Sequence, residues 1–518
     1  MKTIKYIFLS TIIASLLFSA CGEDYLEVTP TATITSDRLK ELGSESQEAF
    51  IEVVQPLVTG LYSWLIQYNS MNLSSLRHSD FGHLSVMLST DLMNEDMLQN
   101  TSNYGWFYSD YDFTKRTNYT HVDVFMPWNY YYKLIKSTND IFMLYNDEID
   151  DPTLLVLKGQ AFAMRGFAYL YLVQLYQHTY VGHESDPSVP LVTDLTPEAQ
   201  LTNNPRAEVS KVYEQILSDL TQSYELLENF QRSSKVEVDK QVVAGLLART
   251  YLNMENWSEA AKYAHIAREG YTPSTAQWDY INGTGFLDIN EPDWMWGADV
   301  NSQTRIAISG IVNPTSHLSS VSYGYTTAGN MEKLIDKRLY DQIPESDLRK
   351  NAFNGQDTAL VLCYTGGTLK LSPYANLKFG FYAQRSADNF GDYAFMRASE
   401  MYLIEAEALA MNNNNAEAQN LLYEFVRTRD PLAVKSTATG TALRNEIYLQ
   451  RRIELWGEGF SYFDHKRLKL GVTRNYPETN HRQDAMINFD AEDSRYRFVI
   501  PRQEIINNNG ISEKDNND

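Results

Sequence analysis

Apolar residues recur at helical spacing through two long blocks of this chain and lose that spacing in two others. From Gln47 to Tyr68, Phe50, Val53, Val54, Leu57, Leu61 and Leu65 fall three or four apart, which predicts an amphipathic helix bent at Pro56. Phe81 to Leu98 predicts a second helix. Periodicity returns from Trp128 to Tyr145, and Asp151-Pro152 marks the start of a long helix running to Tyr176. That helix is apolar on more than one side, with Ala161, Ala163, Gly166 and Ala168 set among Phe162, Phe167, Tyr169, Leu170 and Tyr171. Small residues between large ones let a neighbouring helix approach closely. Further helices are predicted from Val209 to Phe230, Lys240 to Asn253, Trp257 to Glu269, Tyr393 to Asn412, Ala416 to Arg429 and Leu443 to Leu470.

The intervening blocks are irregular. Asn100 to Pro127 reads as a long loop dense in Asn, Tyr, Trp and Asp, and long loops in compact domains are usually functional or disordered. His178 to Arg206 is a Pro- and Asn-rich connector. Gly270 to Asn351 scatters aromatics among Gly, Asn, Ser and Thr, with a short strand predicted around Asp293 to Val300. Gly355 to Asp392 predicts short strands and loops, and Asn508 to Asp518 a frayed polar end. The helical blocks repeat internally. Ala244-x3-Ala248-x2-Tyr251 followed by Trp257-Ser-Glu-Ala260-Ala261-x-Tyr263-Ala264 resembles a tetratricopeptide unit, with a weaker echo at Ala406-x-Ala408-x-Ala410 and Ala416-Glu417-Ala418. The fold class is therefore mainly α. A tetratricopeptide-like helical-repeat scaffold occupies about 128–270 and 393–470. A loop-rich binding lobe with a few short strands occupies about 70–127 and 271–392.

The N-terminus has its own pattern. Lys2 and Lys5 precede an apolar run from Ile7 to Phe18 and then Ser19-Ala20-Cys21. A basic head, a short apolar core and small residues make a secretory signal, and the run falls short of the roughly 20 residues that span a bilayer. The cysteine after Ser19-Ala20 resembles the lipobox of bacterial lipoproteins, with Phe18 where Leu is usual. Acylation of Cys21 would anchor the mature chain. Cys21-Gly22-Glu23-Asp24 places acid after the cysteine, resembling a surface-export signal of some Gram-negative lipoproteins. The divisions are a signal peptide over 1–20, a lipidated tether over 21–44 and one body over 45–518.

Composition narrows the chemistry. A net charge of -22 disfavours nucleic acid, which needs basic stripes. With two cysteines, Cys21 and Cys363, no disulfide framework exists. HExxH, zinc-spaced Cys/His, GxSxG and phosphate-cradling glycine motifs are missing, so neither a cofactor nor a metal is expected. Asp91, Glu95 and Asp96 lack calcium-loop spacing and read as surface or helix-end charge. Glu454 and Glu458 share a helix face. A glycosidase acid pair would need two carboxylates across a sugar; an ion network with Arg451, Arg452, Lys466 and Arg467 is the favoured reading. Trp294 and Trp296 read as framework, and Trp257 and Trp456 as core.

The remaining candidates are loop aromatics, led by 35 tyrosines. Sugar C–H faces pack on aromatic rings, while their hydroxyls need Asn, Asp, Arg or backbone partners. Asn103-Tyr104-Gly105-Trp106-Phe107-Tyr108 supplies both kinds, and so does Ser319 to Tyr325. The candidate glycan-binding set is Asn103, Tyr104, Trp106, Tyr108, Trp278, Tyr280, Tyr323 and Tyr325.

Five blocks in order resemble the SusD/RagB family of outer-membrane nutrient-binding lipoproteins. They are Cys21-Gly-Glu-Asp-Tyr-Leu-Glu-Val-Thr-Pro30; Arg165-Gly-Phe-Ala-Tyr-Leu-Tyr-Leu-Val-Gln-Leu-Tyr176; Glu405-Ala-Glu-Ala408 with Val426-Arg-Thr-Arg429; Arg451-Arg-Ile-Glu-Leu-Trp-Gly-Glu-Gly-Phe460 with Phe463-Asp-His-Lys-Arg467; and Phe498-Val-Ile-Pro501-x2-Glu504-Ile505. The resemblance implies a cell-surface, lipid-anchored, non-catalytic protein that captures oligosaccharide and delivers it to a TonB-dependent SusC-like transporter. A peptide-binding member of the family, an all-α glycoside hydrolase and a periplasm-facing helical-repeat assembly factor are the alternatives. If the lipobox reading holds, labelled palmitate is incorporated at Cys21; an unlabelled first mature residue would contradict it.

Overall fold

The computed structural model describes residues 46–517 apart from 75, 115, 147–148, 280–282, 363–367 and 381–389. Cys21, Tyr280 and Cys363 therefore lie outside the described residues. The first four helices of ten residues or more are α1 (Gln47–Leu65), α2 (His83–Leu92), α3 (Val122–Phe142) and α4 (Pro152–Tyr176). The carboxylate of Asp151 caps α4, accepting from the amides of Thr153 and Leu154 at 2.8 and 3.1 Å, and Pro152 opens the first turn. From Gly159 to Tyr176 every residue of α4 is buried, as its all-round apolar sequence predicts.

Helix α5 (Val209–Leu226) lies against α4. A methyl group on Gly166 would sit 2.9 Å from Leu220 Cδ2, so a larger residue would force Leu220 to shift. Arg165 of α4 turns inward and holds its neighbours together. It donates to Asp219 of α5 at 2.9 and 2.7 Å, to Asp194 at 2.6 Å and to Asn139 of α3 at 2.8 Å.

The scaffold continues through α6 (Lys240–Asn253) and α7 (Trp257–Arg268), and then through α8 (Ala398–Met411), α9 (Asn415–Val426), α10 (Gly440–Glu454) and α11 (Ser461–Arg467). Each of α6 to α9 packs on its successor, α7 against α8 even though the lobe separates them in sequence, and α8 also contacts α10. Arg249 of α6 is bound bidentately by Glu400 of α8 at 2.9 and 2.7 Å. Among the described residues no helix is long and apolar enough to cross a membrane.

The strands are short: β1 (Met97–Gln99), β2 (Trp294–Ala298), β3 (Lys333–Ile335), β4 (Ala359–Leu362), β5 (Thr368–Leu371), β6 (Tyr393–Arg397), β7 (Val472–Thr473) and β8 (Asn488–Phe489). They form antiparallel pairs β1–β3, β2–β6, β4–β5 and β7–β8. Such ribbons are marginal alone; β1, β2 and β3 are fully buried and carried by the packing around them. Trp294 and Trp296 of β2 are fully buried, as expected for framework.

Several expected boundaries shift. The helix expected to reach Leu98 stops at Leu92, where Asn94 turns its side-chain oxygen to the Glu95 amide at 2.8 Å and competes with the helix. Residues 97–99 then pair with β3 instead. The loop expected up to Pro127 ends early, because His121 caps α3 by accepting from the Asp123 amide. Tyr393 to Arg397 is a strand, its aromatics claimed by β2 before α8 begins. The helix expected from Leu443 to Leu470 is broken by Gly457 and Gly459, whose φ values of +79° and +87° end α10. Trp257 is half-buried while Trp456 is in the core. The C-terminus is pinned: Asn517 donates to the carbonyls of Tyr176 and Phe498 at 2.8 and 2.7 Å, and Asn508 exchanges hydrogen bonds with the Asn204 backbone.

Glu454 and Glu458 do sit in an ion network, but with other partners than the nearest cations in sequence. Arg429 reaches Glu454 at 3.0 Å, Arg397 at 3.0 Å and Arg349 at 3.4 Å. Arg397 also binds Asp293 at 2.5 Å and Glu458 at 2.6 Å, and Lys378 binds Glu458 at 2.7 Å. Arg349 closes the set on Asp347 at 2.6 Å. Burial would raise the Glu454 carboxyl, yet Arg429, Arg397 and Arg349 overcome it and hold the group well below the usual carboxylate range. Glu458 is lowered in the same way by Arg397 and Lys378. Both carboxylates are thus saturated by cations, which does not suit them to an acid pair across a sugar. Arg451 and Arg467 instead bind Asp464 at 2.6 and 2.8 Å, and Lys466 donates to the Gln177 carbonyl at 2.5 Å.

Glu454→Gln leaves three guanidinium groups short of charge. We expect a loss of about 3–5 kcal/mol in denaturant unfolding. Because the folded-state carboxyls of Glu454 and Glu458 are depressed, the wild type should hold this stability above their unfolded values. It should lose it as pH falls below about 4. Glu454→Gln should lose less over that range; an unchanged acid profile would contradict the ion-network account.

Candidate functional site

Three loops converge on one face of the lobe: 69–81 before α2, 99–108 after β1, and 313–331 before β3. The last is held by its own hydroxyls. Asn313 caps a one-turn helix at Pro314–Leu318 by accepting from the Ser316 amide at 2.8 Å. Ser316 Oγ accepts from the Tyr325 amide at 3.1 Å, and Thr327 donates to the Ser322 carbonyl at 2.8 Å. Asn103 crosses from the neighbouring loop to the Gly329 carbonyl at 2.8 Å. Tyr104 and Phe107 adopt left-handed backbone, at φ +58° and +60°. Such conformations in residues with side chains cost of order 1 kcal/mol or more and cluster at functional sites.

The side chains form a continuous series of rings from surface to core. Trp106 stacks on His78 with centroids 5.3 Å apart and 13° between planes. His78 meets Tyr325 edge-on at 5.7 Å, and its Nδ1 is hydrogen-bonded to the Tyr325 hydroxyl. Tyr325 stacks on buried His317 at 4.7 Å, and His317 lies against Phe107 and Phe81. Tyr104 stands edge-on to Tyr325 at 5.4 Å and is 64% exposed, while Tyr323 is 42% exposed. Tyr104, Trp106 and Tyr325 are thus brought together, with Asn103 and Tyr323 on the same loops.

Arg77 lies over the Trp106 ring at 5.4 Å, within cation–π range. Its guanidinium is fixed by Asp123 at 2.5 Å. Asp123 also accepts from Ser109 at 3.1 Å, and Arg116 donates to the Asp123 carbonyl at 2.7 Å and to Asp110 at 2.5 Å. Burial would raise the Asp123 carboxyl, but Arg77 and Arg116 hold it below its ordinary value. This charged layer fixes Arg77 over the Trp106 ring.

His317 donates its Nε2 proton to the His78 carbonyl at 2.8 Å. Burial, with Lys333 nearby, holds it far below the ordinary histidine value, so it stays neutral. Its Nδ1 is buried without a hydrogen-bond partner among the described residues.

Other expected residues lie elsewhere. Tyr108 turns away, donating to Asp484 at 2.5 Å and accepting from Arg482 at 2.9 Å. Burial and Asp484 push its hydroxyl up to about 12. Trp278 corrects the expectation of a ligand-facing ring: it is buried, packed against Phe286 at 4.7 Å and beneath Lys378, so it has no face to offer. Tyr280 lies outside the described residues. Asp91 and Asp96 are not surface acids. Asp91 accepts from the Gly459 amide at 2.8 Å, and Arg452 binds Asp96 at 3.0 Å and Glu95 at 3.2 Å. Arg77, His78 and His317 were not among the sequence candidates. The only signal for the first two was their place in the polar run between two helices.

A helical-repeat scaffold carrying a loop-built aromatic face defines the class of protein. Two family models match the chain: one described as "Starch-binding associating with outer membrane" over residues 24–252, and the SusD family over residues 318–516. The chain belongs to the SusD/RagB family. SusD-like protein P2 of Formosa agariphila is 27% identical over 424 residues, covering 74% of this chain and 78% of that protein. A SusD-like carbohydrate binding protein from Bacteroides vulgatus superposes with a TM-score of 0.73 at 24% identity, covering 90% of this chain and 98% of that one. A laminarin-binding SusD-like protein superposes at 0.65 with 18% identity, covering 90% and 98%. At these identities the two structures establish the shared fold.

Burial lowers the His78 imidazole below its ordinary value of 6.5. A depressed base stabilises the fold above its unfolded value and withdraws that stability as pH falls through the folded one. In an NMR titration, His78 should therefore titrate below 6.5, with the 99–108 loop resonances shifting alongside it. A midpoint above the ordinary value would contradict the ring packing.

Proposed function

We propose that this protein is a cell-surface lipoprotein that captures oligosaccharides without cleaving them and hands them to a TonB-dependent SusC-like transporter. The observation that carries the reading is the exposed edge of the ring series. Tyr104 and Tyr323 offer exposed apolar faces for sugar C–H groups, with half-buried Trp106 between the loops and Arg77 and Asn103 beside them for hydroxyls. Membership of the SusD/RagB family, and a structural neighbour named for laminarin binding, support a glycan as cargo. Lipidation at Cys21 and the transporter partner belong to the same proposal and rest on the lipobox resemblance and the family.

A few stacks worth about 0.5–1.5 kcal/mol each, with several hydrogen bonds, give affinities between about millimolar and micromolar. Weak, quickly reversible capture suits handover to a pore. Titration calorimetry against an oligosaccharide panel that begins with laminarin fragments should find saturable binding. Trp106→Ala and Tyr104→Ala should each weaken it by about three- to tenfold, the worth of one stack, while Trp278→Phe leaves it unchanged. No reducing ends should accumulate. Binding indifferent to both loop substitutions would overturn the site, and released sugar would overturn the non-catalytic role. Salt-sensitive binding to basic peptides alone would replace glycan with peptide.

A further inference from the structure

A cavity of about 420 Å³ opens at the C-terminal end of α1, away from the ring series and sharing none of its residues. Tyr62, Leu65 and Ile66 of the α1 end, Val236, Ile306 and Phe395 of β6 supply its apolar walls. Two of the polar groups in those walls already accept hydrogen bonds from within the fold. The Tyr62 hydroxyl accepts from the Val238 amide at 3.2 Å, and the Val236 carbonyl accepts from Trp296 Nε1 at 3.1 Å. A pyranose seated there would bury several hydroxyls with no partners, which costs free energy for each. An apolar ring would not.

The rim differs from the walls. Ser63, Gln67, Asn301, Gln303 and Thr304 place hydroxyls and amides around the mouth. Asp299 and Arg305 add one charge of each sign, so the mouth carries no net charge. That favours a neutral hydrogen-bonding end over a carboxylate or an amine. Size sets the rest: a cavity of roughly 150 Å³ lined by apolar side chains holds a benzene ring. Here there is room for two fused rings.

We propose that this cavity is a second binding site, specific for a neutral aryl group bearing a hydroxyl, the phenolic class of small molecule. The rings enter against Tyr62 and Phe395, and the hydroxyl stays at the rim among the amides. This site is independent of glycan capture, and each can fail without the other.

The probe is 2-naphthol, titrated by calorimetry into the mature protein, wild type and two variants. Ser63 is exposed on α1 and its hydroxyl only returns to the Thr59 carbonyl at 3.3 Å. Ser63→Trp therefore blocks the mouth without entering the core, and an unchanged melting temperature confirms its fold. Trp106→Ala tests whether the probe has stacked on the ring series instead. We expect one saturable site, weakened about tenfold or more by Ser63→Trp and unchanged by Trp106→Ala. Absence of saturable binding, equal binding by Ser63→Trp, or loss in Trp106→Ala would each overturn the proposal.

Discussion

The buried ion cluster around Glu454 is the constraint on which the rest of the molecule depends. It contains four cations, Arg349, Lys378, Arg397 and Arg429, and four carboxylates, Asp293, Asp347, Glu454 and Glu458. Half of these groups come from the scaffold and half from the lobe. Isolated buried ion pairs are poor stabilisers, because desolvation cancels most of their attraction. What a balanced cluster supplies is position. Moving any one member strands a charge in a medium that cannot solvate it. The lobe, poor in regular structure, is thereby held against the helices at one defined place.

From that cluster the constraint runs to the aromatic face in a few contacts. The turn after α10 places Trp456 so that its indole donates to the Asp96 carbonyl at 2.8 Å. Arg452 grips the Asp96 carboxylate, and the Gly459 amide caps Asp91. Residues 91–96 lead directly into β1, whose partner β3 follows the 313–331 loop. One end of each of these two ring-bearing loops is thus tied to the β1–β3 ribbon, next to the turn that carries Glu458. Tyr104 and Phe107, on either side of Trp106, stand on a left-handed backbone that would relax if the loop were loose. Rigid loops lower the entropy cost of binding, which matters where each sugar contact is weak.

Much of the scaffold was legible in the sequence. The all-round apolar stretch from Thr153 to Tyr176, its interleaved small residues and the Ala-rich pair at 244–264 each state a packing relation that the neighbouring helix must satisfy. What failed were places where distant residues override local pattern. Tyr393 to Arg397 carries helical periodicity but is drawn into β2. Glu454 and Glu458 were expected to pair with Arg451, Arg452, Lys466 and Arg467, but the partners of Glu454 lie 25 to 105 residues off in sequence. The face was half legible. Asn, Tyr and Trp density marked Asn103 to Trp106 and Tyr323 to Tyr325. Density could not separate Trp278, buried under Lys378, from a ring at the surface, nor reveal that His78 and His317 would bridge two loops.

The proposed glycan capture rests on rings held in place through this distant cluster. A crystal structure of the mature protein soaked with a laminarin oligosaccharide tests it most directly. An intact glycan should appear with one pyranose face against Trp106 and another against Tyr104, and hydroxyls within reach of Arg77 or Asn103. An oligosaccharide seated elsewhere on the molecule, with the Trp106 and Tyr104 faces bare, would contradict it.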